Sequence, residues 1–463
     1  MPCHIEHLAC EVVMVILKEV PDLGSLYNLI VASPNAYRVF SRFAFEILES
    51  VMSFPAMTDQ LRRTIEVLAH IRSGFRHLAR PTVRTLMPGG VTVSSDLPEG
   101  IAFPSPADVV QMVKRPGRSR TWNHIGKETV SSFLITFDTS ISSKTEPSII
   151  RSILADAARI QRLAHLCVAH YLEQLKDIEF KHPADPSFTY VPPPGVCKID
   201  LPSPWERTPE KTVAYQPRLD RPPLWTEEYR MARVGWNLQL MSDLKKGAES
   251  DTFDHLGWDL EDKVTMRVAG MSWFFGYSVP SDTHSQNLAP EYPYHEARTL
   301  LDWLDCPIPE GGVDPPRLEQ CLQRKEAQAT NVAKTLPTPE APKSGDPGLL
   351  LQRMSVGLEV FLFLSRKPFS PLQFVSFDPF RRLGFAIWDV PRLGDLELHP
   401  VCGLGRPSCW EDFFFEWRCL LSPEELVEAR RRREELKGID RPIGWSADTT
   451  SQSSYLFRDY SHA

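Results

Sequence analysis

The first 20 residues carry an apolar pattern that a proline cuts short. Apolar side chains recur at steps of three and four residues, the spacing that places them along one side of a helix. The residues with this spacing are Leu8, Val12, Val13, Ile16, Leu17 and Val20. Pro21 ends the predicted helix, because proline disfavours helical geometry in the residue that precedes it.

Two further helix starts follow within 15 residues. Asp22 or Ser25 can cap a second helix that carries Leu26, Leu29 and Ile30. Ser33-Pro34 then predicts a third, since a hydroxyl cap precedes a proline whose missing N–H costs nothing at the first helical position. Helices this short bury too little surface to fold alone, so the rest of the chain or another protein must cover them.

The order and spacing of these segments resemble the fungal F-box-like family. The family pattern runs Leu-Pro-x-Glu-Ile, an aliphatic helix, Leu-Pro, a Leu-rich helix and Ala-Ser-Pro-x-x-Tyr-Arg-x-Phe. The matching segments here are residues 8–12, 16–17, 20–21, 26–30 and 32–40. Residues 228–240 resemble the family's central helix, and residues 384–389 (Gly-Phe-Ala-Ile-Trp-Asp) resemble its tryptophan-containing turn.

The resemblance implies a non-catalytic adaptor, not an enzyme. F-box-like helices dock on a Skp-type adaptor protein, which links them to a cullin-based ubiquitin ligase, while the remaining body holds an unknown protein substrate. The positions that the family pattern assigns to docking are Leu8, Glu11, Val12, Ile16, Leu17, Val20, Pro21 and Leu26.

Two alternatives stay open at this point. Ala9 stands where the family usually has proline, so the segment could be a degenerate F-box in a scaffold protein that plays no part in ubiquitination. The three helices could also be a structural subdomain packed on the body of the chain.

The remaining sequence predicts a mainly α-helical fold. We expect an F-box-like domain over residues 1–54 and an irregular helical body over 55–463. Long connections fit the 41 prolines of the chain, and Pro-rich linkers are expected near 182–223 and 336–347. Periodicity predicts helices over 59–75, 148–180, 226–246 and 422–437, whereas 81–144 is expected to be irregular.

Composition and motifs exclude several function classes. The net charge of −7 argues against a dedicated nucleic-acid binder, and no apolar run is long enough to span a membrane. Nine cysteines without C-x-x-C spacing predict reduced thiols and a cytoplasmic or nuclear location.

His165 and His170 are five residues apart on one predicted helix and cannot share a metal ion. His4 and His7 have no partner ligand set, and no P-loop, G-x-S-x-G or kinase motif occurs. We therefore expect no metal, cofactor or catalytic centre.

The run of four arginines at residues 430–433 is the strongest charge feature of the chain. Glutamates at 428, 434 and 435 lie within one helical turn, which favours a solvated helix end with internal ion pairs. A patch for nuclear import or for an acidic partner is the alternative.

Overall fold

The computed structural model describes the chain in ordered stretches separated by gaps. The described residues are 4–55, 57–76, 82–86, 92–95, 109, 120–125, 130–136, 140–185, 188, 208–256, 258, 260–269, 292–307, 314–329, 355–367, 370–399 and 413–436. The predicted linker at 336–347 and the terminal residues after 436 lie outside them.

Most of the described residues are helical, which confirms the mainly α fold class. Short 3-10 helices lie at His4–His7 and Asp251–Leu256. The α-helices of the described residues are α1 Cys10–Lys18, α2 Leu23–Ala32, α3 Pro34–Met52, α4 Asp59–Arg72, α5 Pro147–Lys176, α6 Trp225–Glu249, α7 Leu260–Val268, α8 Tyr292–Trp303, α9 Pro315–Ala329, α10 Val356–Arg366, α11 Asp378–Arg381, α12 Val390–Asp395, α13 Phe414–Cys419 and α14 Pro423–Leu436.

The predicted irregular segment at 81–144 contains an antiparallel sheet, so that prediction is wrong. Its strands are β1 Thr82–Leu86, β2 Thr92–Ser95, β3 Arg120–Ile125 and β4 Val130–Thr136. The strand order is β2-β1-β4-β3, and β3 pairs with β4 from Arg120 opposite Ile135 to Ile125 opposite Val130. The strands are too short for a clear alternation to stand out among the glycines and prolines between them.

The chain is divided into two compact units. The first contains Met1–Cys167 and Leu224–Gln352, and the second contains Val168–Pro223 and Arg353–Ala463. The division falls inside α5, between Cys167 and Val168, and the boundary expected after residue 54 stays a prediction. The predicted helix at 148–180 is confirmed as α5, and its eight predicted apolar positions are all buried: Ile150, Ile153, Ala157, Ile160, Ala164, Cys167, Tyr171 and Leu175.

In the first unit, α6 is buried on most sides. Its predicted apolar positions are buried, namely Tyr229, Trp236, Leu240 and Leu244. The helix begins at Trp225, one residue before its predicted start, and the Glu227 carboxylate accepts a hydrogen bond from the Leu224 N–H at 2.9 Å. Arg72 on α4 ties α6 to α5, since its guanidinium contacts Asp243 at 2.7 Å and Asp156 at 2.5 Å.

An aromatic cluster forms the core of the second unit. All of its members are at most 5% exposed: Phe361, Phe377, Phe380, Phe385, Trp388 and Trp417. Phe380 and Phe385 both contact the Trp417 ring, with centroids 5.1 and 4.9 Å away. The segment from Gly384 to Ile387 forms a tight turn beside this cluster. Gly384 has φ +80°, and a Cβ there would lie 2.6 Å from Trp388 Cζ2.

The second unit also contains a strand pair in the predicted Pro-rich linker at 182–223. β5 (Phe180–Pro183) pairs antiparallel with β6 (Thr212–Tyr215), so the first and middle parts of this Pro-rich segment contain regular structure. The buried Arg392 on α12 donates hydrogen bonds to the Arg221 carbonyl at 2.9 Å and the Pro222 carbonyl at 2.8 Å. These bonds hold the end of the linker against the unit.

Candidate docking surface

The predicted caps of α2 and α3 are present, and they fix where these two helices begin. Asp22, one of the two predicted caps of α2, accepts a hydrogen bond from the Ser25 N–H at 2.8 Å. Ser33 caps α3 by accepting from the Ala36 N–H at 3.1 Å, and Pro34 occupies the first helical position. Local sequence chemistry therefore sets the geometry of this part of the chain.

The structure divides the eight predicted docking residues between surface and core. The exposed and partly exposed members are Leu8, Glu11, Val12, Ile16 and Pro21. The buried members are Leu17, Val20 and Leu26. A buried side chain has almost no area left to remove from water when a partner binds, so these three support helix packing. Their assignment to the docking surface is corrected accordingly.

Helix α1 has apolar side chains on two sides. Val13 and Leu17 are fully buried, as expected for positions four residues apart on the side of α1 that packs against α3. Val12 and Val15, three residues apart, are 46% and 57% exposed. We call Leu8, Glu11, Val12 and Val15 the outer face. Val15 was not among the predicted docking residues, although its three-residue step from Val12 is a signal in the sequence.

A polar clamp fixes the residues that precede α1. The Glu6 carboxylate accepts hydrogen bonds from Ser33 Oγ at 2.5 Å and from the Asn35 N–H at 3.1 Å. The Asn35 side-chain amide in turn donates to the Ile5 and Leu8 carbonyls, each at 3.2 Å. The start of α3 therefore positions Leu8, the first residue of the outer face.

Helices α2 and α3 are held against α5. A Cβ on Gly24 of α2 would overlap the Gln161 side-chain oxygen of α5, so the two helices approach closely at this glycine. On α3, the Tyr37 hydroxyl and Ser41 Oγ accept hydrogen bonds from Arg151 Nη1 at 2.9 and 3.3 Å. These contacts cover part of the opening helices with the body of the first unit, but they leave the outer face exposed.

The candidate metal-ligating histidines have other roles. His165 Nδ1 pairs with the Glu228 carboxylate, and both side chains are nearly buried. The His170 ring packs edge-on against Tyr171, with centroids 5.4 Å apart. His7 is exposed, and the side chain of His4 lies outside the described residues. Across the described stretches, no group of three His, Cys, Asp or Glu side chains is arranged to hold a metal ion.

A polar cluster that the sequence did not reveal lies in the second unit. His182 Nδ1 is 3.0 Å from Glu416 Oε1, and its Nε2 is 3.1 Å from Glu397 Oε2. Its ring stacks on Tyr215, with centroids 4.0 Å apart. Burial raises the pKa of the nearby Cys419 thiol to about 12, which disfavours the nucleophilic thiolate. Carboxylates contact both imidazole nitrogens, and these contacts fasten β5 in place.

The arginine run on α14 forms the expected internal ion pairs. Arg431 contacts Glu428 at 2.6 Å and also pairs with Glu435, while Arg432 contacts Glu428 at 2.8 Å. The side chain of Arg433 lies outside the described residues. The pairs support the interpretation of a solvated helix end.

Among the helices that the structure describes, none is both long enough and apolar enough to cross a membrane. Comparisons with protein-family models, with curated proteins and with solved structures found no match to this chain.

Proposed function

We propose that this protein is a non-catalytic F-box-like adaptor that docks on a Skp-type protein through its outer face. The Skp-type protein would link it to a cullin and so to a ubiquitin ligase. The helical body would hold a protein substrate close to the ligase, which raises the effective concentration of that substrate. The resemblance of residues 8–40 to the fungal family supports this proposal.

The observation that carries the proposal is the exposure of apolar side chains on an otherwise well-packed helix. Val12 and Val15 are about half exposed, although the opposite side of α1 is fully buried. The Glu6 clamp holds the residues that precede α1 in one conformation, which lowers the entropy that binding would cost. A rigid helix face of this kind suits recognition by the groove of a partner protein.

The expected affinity contribution of the outer face can be estimated. Fully burying a valine stabilises by about 1.5–3 kcal/mol, so a half-exposed valine contributes about 1 kcal/mol when a partner covers it. Val12 and Val15 together then contribute about 2 kcal/mol, which corresponds to roughly 30-fold in the dissociation constant.

The test is a binding measurement between the full chain and a purified Skp-type adaptor. We expect the double change Val12→Glu and Val15→Glu to weaken binding by roughly 30-fold or more, because it removes apolar area and adds charge. Val264→Glu on α7 is the matched control, since Val264 is 44% exposed against 46% for Val12. Circular dichroism of all variants verifies that they fold.

Each outcome of this measurement is informative. Absence of binding by the folded wild-type chain would overturn the adaptor proposal. Equal weakening by Val264→Glu would show that the outer face is not the binding surface.

The structural-subdomain interpretation is the second candidate, and the contacts of α2 and α3 with α5 favour it. Gly24 and the Tyr37–Arg151 bond show that the opening helices are an integral part of the first unit. Under this interpretation, Tyr37→Phe with Arg151→Met would lower the unfolding temperature, while the full chain would not bind the Skp-type protein.

A further inference from the structure

The imidazole of His182 in the second unit lies between two carboxylates that come from different elements. Glu416 on α13 contacts Nδ1 at 3.0 Å, and Glu397, two residues after the end of α12, contacts Nε2 at 3.1 Å. An ionised carboxylate only accepts hydrogen bonds, and a neutral imidazole has a single N–H to donate. Both contacts are therefore hydrogen bonds only when the ring carries a second proton.

The other ionisable groups on the two strands are already paired or neutral. Lys181 on β5 pairs with Glu179 at 2.6 Å. The Tyr215 ring on β6 stacks on His182. Burial, together with the nearby carboxylates, raises the pKa of Tyr215, so its hydroxyl stays neutral and donates to the Leu396 carbonyl at 2.8 Å.

The neighbouring helices are similarly settled. Asp395 on α12 pairs with Arg221 at 2.5 Å. Arg418 on α13 is a permanent cation, and the Cys419 thiol stays neutral because burial raises its pKa to about 12. Imidazole is also a stronger base than a carboxylate. The proton that both contacts require is therefore held by the ring.

We propose that His182, Glu397 and Glu416 form a pH-sensitive latch between β5 and the end of α12, a device that goes beyond the proposed adaptor function. When the ring loses a proton, only one of the two hydrogen bonds remains. The Glu416 side chain is 8% exposed and the Glu397 side chain is 58% exposed. A buried carboxylate loses more than an exposed one when a donor is removed, so Nδ1 keeps its hydrogen. Nε2 then presents a lone pair to Glu397, which turns into water and opens the latch.

The backbone at Glu397 makes this opening measurable. Glu397 adopts φ +57°, a left-handed conformation that residues with a Cβ disfavour. Its N–H donates to the Gly394 carbonyl at 3.0 Å, and the Leu398 N–H donates to the Leu393 carbonyl at 2.9 Å. The contact with His182 ties this turn to β5. Without it, the turn should open locally more often and expose both N–H groups to exchange with water.

The first test follows the ring itself in the full chain. Histidine is labelled with 15N, and NMR reports the protonation of both ring nitrogens between about pH 5 and 8, where imidazole ordinarily changes its charge. The His182 signal is assigned by its loss in His182→Gln. We expect both nitrogens to be protonated at the acidic end and Nδ1 alone at the basic end. An unchanged protonation state across this range, or a hydrogen retained on Nε2, would overturn the proposal.

The second test measures opening by hydrogen exchange of the peptide that contains residues 393–398. Exchange at about pH 5.5 and about pH 8 is normalised to the unfolded chain at the same pH, which removes the intrinsic pH dependence. We expect the normalised exchange to be several-fold faster at the higher pH. Equal values at the two pH values would contradict the latch.

A conservative variant separates the latch from a general effect of pH. The carboxamide in Glu397→Gln can accept from the protonated ring and can donate to a neutral Nε2, so the pH dependence of exchange should disappear. Glu179→Gln is the matched control, since Glu179 is 64% exposed and pairs with Lys181. It should behave like the wild-type chain. A pH dependence that persists in Glu397→Gln would overturn the proposal. Thermal melting verifies folding, and the NMR test of the wild-type chain decides the matter if a variant does not fold.

Discussion

The opening helices at residues 4–52 and the aromatic cluster of the second unit place their apolar side chains differently. In the aromatic cluster, Trp388 and Trp417 are fully buried, and the other members are nearly so. In the opening helices, Val13 and Leu17 are buried while Val15, on the same helix, is 57% exposed. Apolar residues in the first region thus serve both packing and the surface, whereas those in the second serve packing alone.

Exposure, rather than apolar content, therefore separates a docking surface from a core. The rings of the aromatic cluster come from several short helices and turns rather than from one helix. Each ring is therefore covered by other side chains on several sides. Helix α1 packs against α3 on one side only. The side of a helix that no other element covers is therefore available for binding. Polar side chains on that side favour contact with water, whereas apolar side chains favour contact with a partner protein.

The largest expected effect tests the core of the second unit. Trp388→Ala should lower the free energy of unfolding by about 3–5 kcal/mol, because it leaves a cavity beside Gly384. It also removes the hydrogen bond from Nε1 to the Leu383 carbonyl at 2.9 Å. Urea denaturation measures the change. The control is Val427→Ala in the same unit, where the side chain is 66% exposed and the effect should stay within about 0.5 kcal/mol.

The next effect compares the two sides of α1 directly. Leu17→Ala should destabilise the first unit by about 2–5 kcal/mol, whereas Val15→Ala should change its stability by less than about 0.5 kcal/mol. The same urea titration measures both variants. If Val15→Ala is as damaging as Leu17→Ala, the outer face belongs to the core, and the contrast between the two regions is wrong.

Sequence reasoning succeeded where the determinants are local. The caps Asp22 and Ser33 lie next to the helices that they begin, and the apolar repeat of α5 identified its buried positions correctly. The capping box of α14 is also present, since Ser422 and Glu425 exchange hydrogen bonds at 2.8 and 3.3 Å.

Sequence reasoning failed where distant residues decide the outcome. Residues 182, 397 and 416 meet around one imidazole although more than 200 positions separate the first from the others, and no local pattern marks them. The predicted docking surface included residues from both sides of α1. A repeat of three and four residues shows that a helix is amphipathic, but it does not show which side α3 will cover. The sheet at 82–136 was missed because its strands are short, although β1 pairs with β2 and β3 with β4 locally, and only the pairing of β1 with β4 joins strands far apart in sequence.

The smallest effect concerns α14 of the second unit. Its exposed side chains are charged, whereas the outer face of α1 is mostly apolar. Hydrogen bonds from Arg431 and Arg432 lower the pKa of Glu428 from 4.5 to about 2. Because the folded-state pKa is depressed, the stabilisation is fully present above about pH 4.5 and is lost as the pH falls towards 2. The contribution is small, since exposed ion pairs stabilise little. NMR titration of the Glu428 carboxyl measures the pKa.

Substitution of the arginines shows which of them lower the pKa of Glu428. Arg431→Gln with Arg432→Gln should return the pKa of Glu428 towards 4.5, because it removes both donors. Arg430→Gln is the matched control, since Arg430 is exposed and has no ion pair among the residues that the structure describes. An ordinary pKa for Glu428 in the wild-type chain would mean that the arginines are free in solution. Several arginines of the run would then be available to pair with an acidic partner. The second unit, like the first, would have an exposed surface suited to binding.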